Sequence, residues 1–367
     1  MPLRNPVLSA IETYVPGLTT GYVAQAYGLP EADIAKLGSA ENPFGPSPLG
    51  RAAVAAALDA LSLYPNWTAE GLRKKIAAKY GLDPEGVICG AGETELIPLV
   101  IRAFTREGGT VAMHEPTFPV YHLAAEAEGR KPIFVPARDE LVFDVDDLAA
   151  AARPDTGVAF VTSPHSPTGR VFAHADVERL ARRLPDTLVV LDEAYWHFSD
   201  APPGFNLLPR CPNLMVMRTF SKAFGLAGLR VGFAAAAPPL VRQLMALKST
   251  WNMGCLQVAG AAAALDDDAH VQRTVAAIKE ARAEIERRVN QTNRFQVLPG
   301  SQANYVLVKV LDPGLDSTRV FNELLKRGVI VKDCSVSFRA LGKRWLRVDV
   351  GTRRHVDRFV AALSDIR

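Results

Sequence analysis

The chain has 367 residues, 48% of them hydrophobic and 22% charged. That is the composition of a globular protein long enough to fold as two subdomains, and it excludes a disordered chain. Its formal charge of +3, with no lysine/arginine block, argues against nucleic acid or an anionic membrane as a partner.

Residues 1–48 form a leading arm rich in breakers, including Tyr14-Val-Pro-Gly17 and Glu41-Asn-Pro-Phe-Gly-Pro-Ser-Pro48. So many prolines and glycines predict no regular secondary structure there. Tyr14, Tyr22 and Phe44 are expected to anchor the arm, which should pack on the smaller subdomain. Residues 1–20 lack the charged-then-apolar pattern of a secretion signal.

An alanine-rich helix is predicted over 50–61. Tyr64-Pro-Asn66 breaks it, and a helix over 68–80 follows with Thr68 as N-cap. Strand 87–89 enters Gly90-Ala-Gly-Glu-Thr-Glu95 and a helix to Phe104. A glycine-rich turn between strand and helix points backbone N–H groups and the positive end of the helix dipole at one spot, which makes an anion site.

Strands 110–113, 132–136, 157–162 and 187–191 then alternate with helices over 118–129, 145–153 and 174–184. Such alternation indicates a mostly parallel sheet covered on both faces, with ligands beyond the carboxyl ends of its strands. Three features fall at such ends: the 90–95 turn, the proline-fixed loop Ser163-Pro-His-Ser-Pro-Thr-Gly169, and Asp192-Glu-Ala-Tyr195.

Strand 214–217 delivers a fourth, Arg218-Thr-Phe-Ser-Lys-Ala-Phe-Gly-Leu-Ala-Gly-Leu-Arg230, and an apolar run over 231–237 leaves it. Lys222, flanked by apolar residues and small hydroxyls, is poorly solvated and so loses its proton more easily than usual. Such an amine can attack a carbonyl to form a Schiff base. The planar fork of Arg230 suits a phosphate dianion. An amine beside a phosphate clamp points to pyridoxal phosphate, which carries both an aldehyde and a phosphate. That cofactor needs an acid at its ring nitrogen, a donor at its ring hydroxyl and an aromatic on its face. Asp192, Tyr195 and Phe118 are the candidates.

Helices over 238–248, 254–265 and 269–293 follow. A smaller alternating unit closes the chain, with strands 295–298, 304–310, 329–331 and 345–350 and helices 316–327 and 353–366. The expected division is an arm over 1–48, a large cofactor-binding domain over 49–275 and a small domain over 276–367. The four cysteines are scattered without a Cys-x-x-Cys pair, which argues for a reducing compartment and against zinc or disulfides. The histidines show no ligand spacing either, so no metal is expected, and the expected location is the cytoplasm.

With Asn42-Pro-Phe-Gly-Pro-Ser-Pro48, Ser166-Pro-Thr-Gly169, Asp192-Glu-Ala-Tyr195 and the lysine segment in this order, the chain resembles the fold-type I, class I and II aminotransferases. Within these it is most similar to the histidinol-phosphate aminotransferases, over nearly its full length. The resemblance implies an α/β fold and a homodimer with active sites at the subunit interface. It also implies transfer of an amino group between histidinol phosphate and 2-oxoglutarate, or glutamate in reverse, by a ping-pong mechanism.

By motif, Lys222 would bond the cofactor aldehyde, Asp192 the ring nitrogen, and Tyr195 and Ser166 the ring hydroxyl, with Phe118 stacked on the ring. The phosphate would meet the backbone at Ala91, Gly92 and Glu93, the side chains of Thr219, Ser221 and Arg230, and Tyr64 from the other subunit. Substrate would meet Tyr14, Asn42, Lys332 and Arg347. Two positions depart from the family pattern. Ser166 replaces an asparagine, and Lys332 stands where an arginine is usual, giving charge without the bidentate fork. Residues 332–338 are closer to threonine-phosphate decarboxylases of the same fold. That reaction, and aromatic amino-acid transamination, are the alternative expectations. A non-catalytic DNA-binding regulator is not expected, because the proline-broken arm has no room for a helix-turn-helix.

Overall fold

The computed structural model describes residues 13–338 and 340–366, so the first twelve residues of the arm lie outside the described residues. In chain order the first elements are α1 (Thr20–Tyr27), β1 (Ala35–Lys36), α2 (Pro48–Ala56) and α3 (Glu70–Tyr80). Next come β2 (Val87–Gly90), α4 (Glu93–Phe104), β3 (Thr110–Glu115), α5 (Val120–Ala127), β4 (Lys131–Pro136) and α6 (Val145–Ala151). β5 (Thr156–Thr162), α7 (His174–Arg183), β6 (Leu188–Asp192), β7 (Leu214–Thr219) and β8 (Gly232–Ala236) complete the larger sheet. The remainder is α8 (Pro238–Leu247), α9 (Cys255–Ala264), α10 (Asp268–Asn290), β9 (Phe295–Val297), β10 (Tyr305–Val310) and α11 (Ser317–Lys326). After these come β11 (Val329–Ile330), β12 (Lys332–Asp333), α12 (Cys334–Ser337), β13 (Trp345–Asp349) and α13 (Arg353–Ser364).

The seven-stranded sheet has the order β2-β8-β7-β6-β5-β3-β4. Only β8 runs against its neighbours, and the other pairings are parallel. This is the α/β arrangement expected. Side chains alternate between the faces with period two. Val189, Leu191 and Val216 join Leu72 and Ile76 of α3 on one side. Val190, Met215 and Met217 join Leu96, Val100 and Tyr121 on the other. With both faces buried, the strands read as continuous apolar runs.

The carboxyl ends of β2, β3, β5, β6 and β7 share one edge of this sheet. Because β8 is reversed, its beginning lies on that edge too, which brings Arg230 back beside the turn after β2.

The smaller sheet is antiparallel, in the order β12-β13-β10-β9. It forms a second core with Ile278, Ile285 and Val289 of α10 and Phe359 of α13. Val271 packs on both cores. We therefore place the boundary between the two units within α10.

The arm is more regular than its prolines suggested. Between Pro16 and Pro30 the Thr19 side chain accepts from Tyr22 N and caps α1, which Gly28 ends in the left-handed conformation. β1 then pairs in parallel with β11, fastening the arm to the smaller unit. Tyr14, Tyr22 and Phe44 remain exposed in the single chain and do not act as buried anchors within it. Thr68 is not the N-cap of α3 either. Asn66 Oδ1 accepts from Thr68 N (3.0 Å) and Glu70 N (3.4 Å), and the cap position is Ala69 at φ +50°. Among the described residues no helix is long and apolar enough to cross a membrane.

Candidate active site

A cavity of about 640 Å³ opens on the strand-end edge and extends under the smaller unit. Tyr14, Glu93, Phe118, Ser166, Asp192, Tyr195, Thr219, Ser221, Lys222, Arg230, Lys332 and Arg347 all line it. Most of the site residues expected from the sequence are thus gathered in one place.

At one end is an anion cradle. Gly92 precedes α4 at φ +84°, and a Cβ there would overlap the Arg230 guanidinium, so only glycine fits. Arg230 Nη2 donates to Thr94 Oγ1 (3.1 Å), and Nη1 to Ala227 O (3.0 Å) and, at the limit, Ser221 Oγ (3.5 Å). Thr219 Oγ1 donates to Ser221 Oγ at 3.0 Å. Arginine, two hydroxyls and a helix start form a site for a phosphate dianion.

Of the three expected backbone contributors, Ala91, Gly92 and Glu93, only Glu93 lines the cavity. Ala91 N donates to Glu95 Oε2 (2.5 Å) and Gly92 N to Gly90 O (2.7 Å), so neither is free, and neither residue lines the cavity. The N–H groups without an intrahelical acceptor are those of Glu93 and Thr94, in the first turn of α4.

Asp192 ends β6, buried, and accepts hydrogen bonds from Tyr121 Oη (2.5 Å) and Ala194 N (2.9 Å). Burial raises its proton affinity, and those two bonds oppose the shift. Glu93 is half-buried, but its Oε1 atom is buried and lacks any partner within the protein. Burial and the neighbouring Asp192 push its pKa well up.

Lys222 sits with its Nζ 5.4 Å from the centroid of the Tyr195 ring. Burial, reinforced by Arg347, lowers its pKa to about 8. At pH 7 roughly a tenth of such amines are unprotonated, against about one in three thousand at the usual lysine value. The loop bearing it is braced by the arm: Asn42 Nδ2 donates to Lys222 O (3.2 Å) and Ala223 O (3.1 Å). Asn42, expected to bind substrate, thus bonds the lysine loop and does not line the cavity.

At the far end Arg347 lies buried, donating to Asp349 Oδ1 (3.2 Å) and Gly38 O (3.4 Å). Lys332 stands opposite it across β12 and β13. Burial and then Arg347 lower the Lys332 pKa. Two cations next to the cavity form a second anion site, separated from the first by the lysine. Tyr64 takes no part in the cavity of its own chain. It is 80% exposed and stacks on Trp251 with ring centroids 4.6 Å apart.

Reading the sequence did not single out Thr94, Tyr121, Tyr305 or Asp349. Thr94 lay within the glycine-rich turn, but Tyr121 and Tyr305 sit in apolar runs where an aromatic reads as core.

The residues present fit pyridoxal phosphate at each of its functional groups. They offer a cradle for the phosphate, a carboxyl for the ring nitrogen, hydroxyls for the ring hydroxyl, and an amine for the aldehyde. The Ser166 hydroxyl and Glu93 Oε1, buried and without protein partners, are what a ligand in this cavity would satisfy. Among the described residues no cluster of three or more histidine, cysteine, aspartate or glutamate side chains is arranged to hold a metal.

The sequence model of the family described as aminotransferase class I and II matches residues 32–363. The histidinol-phosphate aminotransferase of Anaeromyxobacter sp. is 38% identical, covering 100% of this chain and 99% of its own. That of Methanocella arvoryzae is 35% identical, with coverages of 97% and 96%. Among solved structures, histidinol-phosphate aminotransferase from Sinorhizobium meliloti in complex with pyridoxal-5'-phosphate superposes with a TM-score of 0.88 at 26% identity, over 100% of this chain and 97% of that one. L-threonine-O-3-phosphate decarboxylase from Porphyromonas gingivalis superposes at 0.80 with 20% identity, over 90% and 98%, a likeness of fold alone.

Proposed function

The chain belongs to the class I and II aminotransferases, and from that premise we propose that it moves an amino group between histidinol phosphate and 2-oxoglutarate with pyridoxal phosphate as cofactor, as a step of histidine biosynthesis in the cytoplasm. The observation that carries this reading is the half-buried Lys222 amine on the cavity wall, with a pKa of about 8, set between one anion cradle and a second pair of cations.

Bound there, the cofactor supplies an aldehyde for the substrate amine and a ring that draws electrons from the bond being broken. Arg230, Ser221, Thr219, Thr94 and the first-turn N–H groups of α4 hold its phosphate. Asp192, kept in place by Tyr121 and Ala194, holds a proton at the ring nitrogen. Tyr195 and Ser166 bond the ring hydroxyl, and Phe118 covers a ring face. Lys222 would hold the aldehyde and, when free, would be the base that carries the proton the reaction moves. Arg347 and Lys332 would receive the substrate anion, and by fixing its place these two cations would orient the substrate and so choose the reaction.

The test is a half-reaction. Holoenzyme mixed with histidinol phosphate should lose its visible absorbance band, and 2-oxoglutarate should restore it. No change with histidinol phosphate, together with carbon dioxide release from threonine phosphate or a response to aromatic amino acids, would replace the substrate assignment.

The working unit is a homodimer. Leu58, Leu61, Leu63, Tyr64 and Trp67 are exposed beside Leu247 and Trp251, a patch large and apolar enough to need a cover. In a second copy Tyr64 would reach the phosphate cradle of its partner. Light scattering should give twice the chain mass, and a single-chain mass would remove this part of the reading.

A further inference from the structure

The Ser166 hydroxyl is an orphan in a place where orphans are costly. The residue is 1% exposed, lines the cavity, and its Oγ meets no partner at full hydrogen-bond geometry. Tyr305 of β10 is wholly buried, and its hydroxyl bonds the residue that precedes Ser166 in the chain. Tyr305 Oη donates to His165 O at 3.0 Å. That carbonyl also accepts from Gly169 N at 2.6 Å, so it stays satisfied if the tyrosine proton turns elsewhere. The Tyr305 ring is pinned on two sides, edge-on to Tyr195 at 4.9 Å and under the Arg347 guanidinium at 4.9 Å. Its hydroxyl is therefore held at the His165–Ser166 segment.

We propose that Ser166 and Tyr305 form a two-hydroxyl relay onto the ring hydroxyl of the bound cofactor, Ser166 donating to it and Tyr305 acting as the positioning residue that orients and polarises Ser166. This rests on the pyridoxal phosphate reading above. A serine has one proton. If that proton goes to the ring oxygen, a serine lone pair is left for Tyr305, and hydrogen bonds chained this way strengthen each other. The relay also ties the cofactor's electronics to the smaller unit, because Tyr305 belongs to the sheet that carries Arg347. The charged and titratable groups around this point are Asp192, Tyr195, Lys222, Glu93, Arg347 and Asp349, all unchanged by the substitutions below.

The test follows the visible absorbance of the holoenzyme against pH. The ring oxygen and the Lys222 nitrogen share a proton. A donor to that oxygen draws off charge and weakens the hold on the proton, so removing the donor moves the colour change to higher pH. Ser166→Ala and Tyr305→Phe should each raise the midpoint by about 0.5–1 pH unit. The double variant should move it no further than Ser166→Ala alone, since Tyr305 acts through Ser166. An unchanged midpoint in Tyr305→Phe overturns the relay, as does a double-variant shift equal to the sum of the two. A purely structural tyrosine would lower melting temperature or cofactor affinity without moving the midpoint, and that outcome also counts against it. Wild-type protein that acquires no visible band with added cofactor would sink the cofactor reading itself, which separates that failure from failure of the relay.

Discussion

Replacing Lys222 with alanine is expected to lower turnover by at least about 10⁴-fold while leaving the cofactor-free protein no less stable at neutral pH. The two halves of this expectation share a cause. Partial desolvation and the Arg347 charge lower the amine's pKa from the usual 10.5 to about 8. The folded state thus holds the proton less tightly than the unfolded chain does. Between pH 8 and 10.5 the unfolded chain binds more protons, so this group's contribution to stability rises with pH there and its full penalty applies below. The penalty is on the order of 3 kcal/mol. Alanine removes it. Denaturant midpoints of cofactor-free wild type and Lys222→Ala should differ most at pH 7, in favour of the variant, and converge towards pH 10. A variant that still turned over substrate would end the assignment of the lysine. A variant less stable at pH 7, with no convergence, would mean the amine is not a buried burden.

The asymmetry explains what could be read from the sequence. Asp192, Lys222 and Arg230 were legible because each ends a strand or lies within three residues of a strand end, and strand ends on one edge of a parallel sheet converge whatever the details of packing. Of the expected backbone donors Ala91, Gly92 and Glu93, the first two are engaged within the turn itself, which leaves the N–H groups of Glu93 and Thr94. The Glu95 carboxylate that captures Ala91 N is a side-chain choice that no periodicity announces. α1 was missed because breakers were weighed over the whole arm, whereas the stretch between Pro16 and Pro30 carries its own caps in Thr19 and Gly28. β12 is two residues long and has no period to read. Tyr305 and Tyr121 look like core residues, and by burial they are; their functional part lies in one oxygen each. Tyr64 does not line the cavity of its own chain, so the part proposed for it needs a second copy of the chain.

The second large effect concerns stability. Arg218 precedes Thr219 on β7, and Glu193 follows Asp192 after β6, so both face away from the cavity while their neighbours face into it. Arg218 is completely buried. Its Nε and Nη2 lie 2.8 and 2.7 Å from Glu193 Oε2, and its guanidinium sits 3.7 Å from the Trp196 ring centroid and 4.2 Å from that of Phe205. Glu193 Oε1 accepts from Gly204 N at 2.8 Å. Arg218→Met is expected to cost about 3–5 kcal/mol, because it leaves a buried carboxylate without its cation. Breaking the exposed Lys74–Glu70 pair should change almost nothing. The pH dependence discriminates further. Burial already raises the Glu193 pKa, against the pull of Arg218. Without the arginine, the folded state must keep this acid protonated while the unfolded chain ionises it. The folded protein then binds more protons, and stability falls as pH rises. The deficit of Arg218→Met should therefore be small near pH 5 and grow towards pH 8. Arg218→Met combined with Glu193→Leu should recover most of it and flatten the profile, since a packed apolar pair replaces the ionic one. A deficit independent of pH, not relieved in the double variant, would assign the loss to the vacated aromatic box and not to the stranded charge. In that case the ends of β6 and β7, and with them Asp192 and Thr219, are held in place by packing alone.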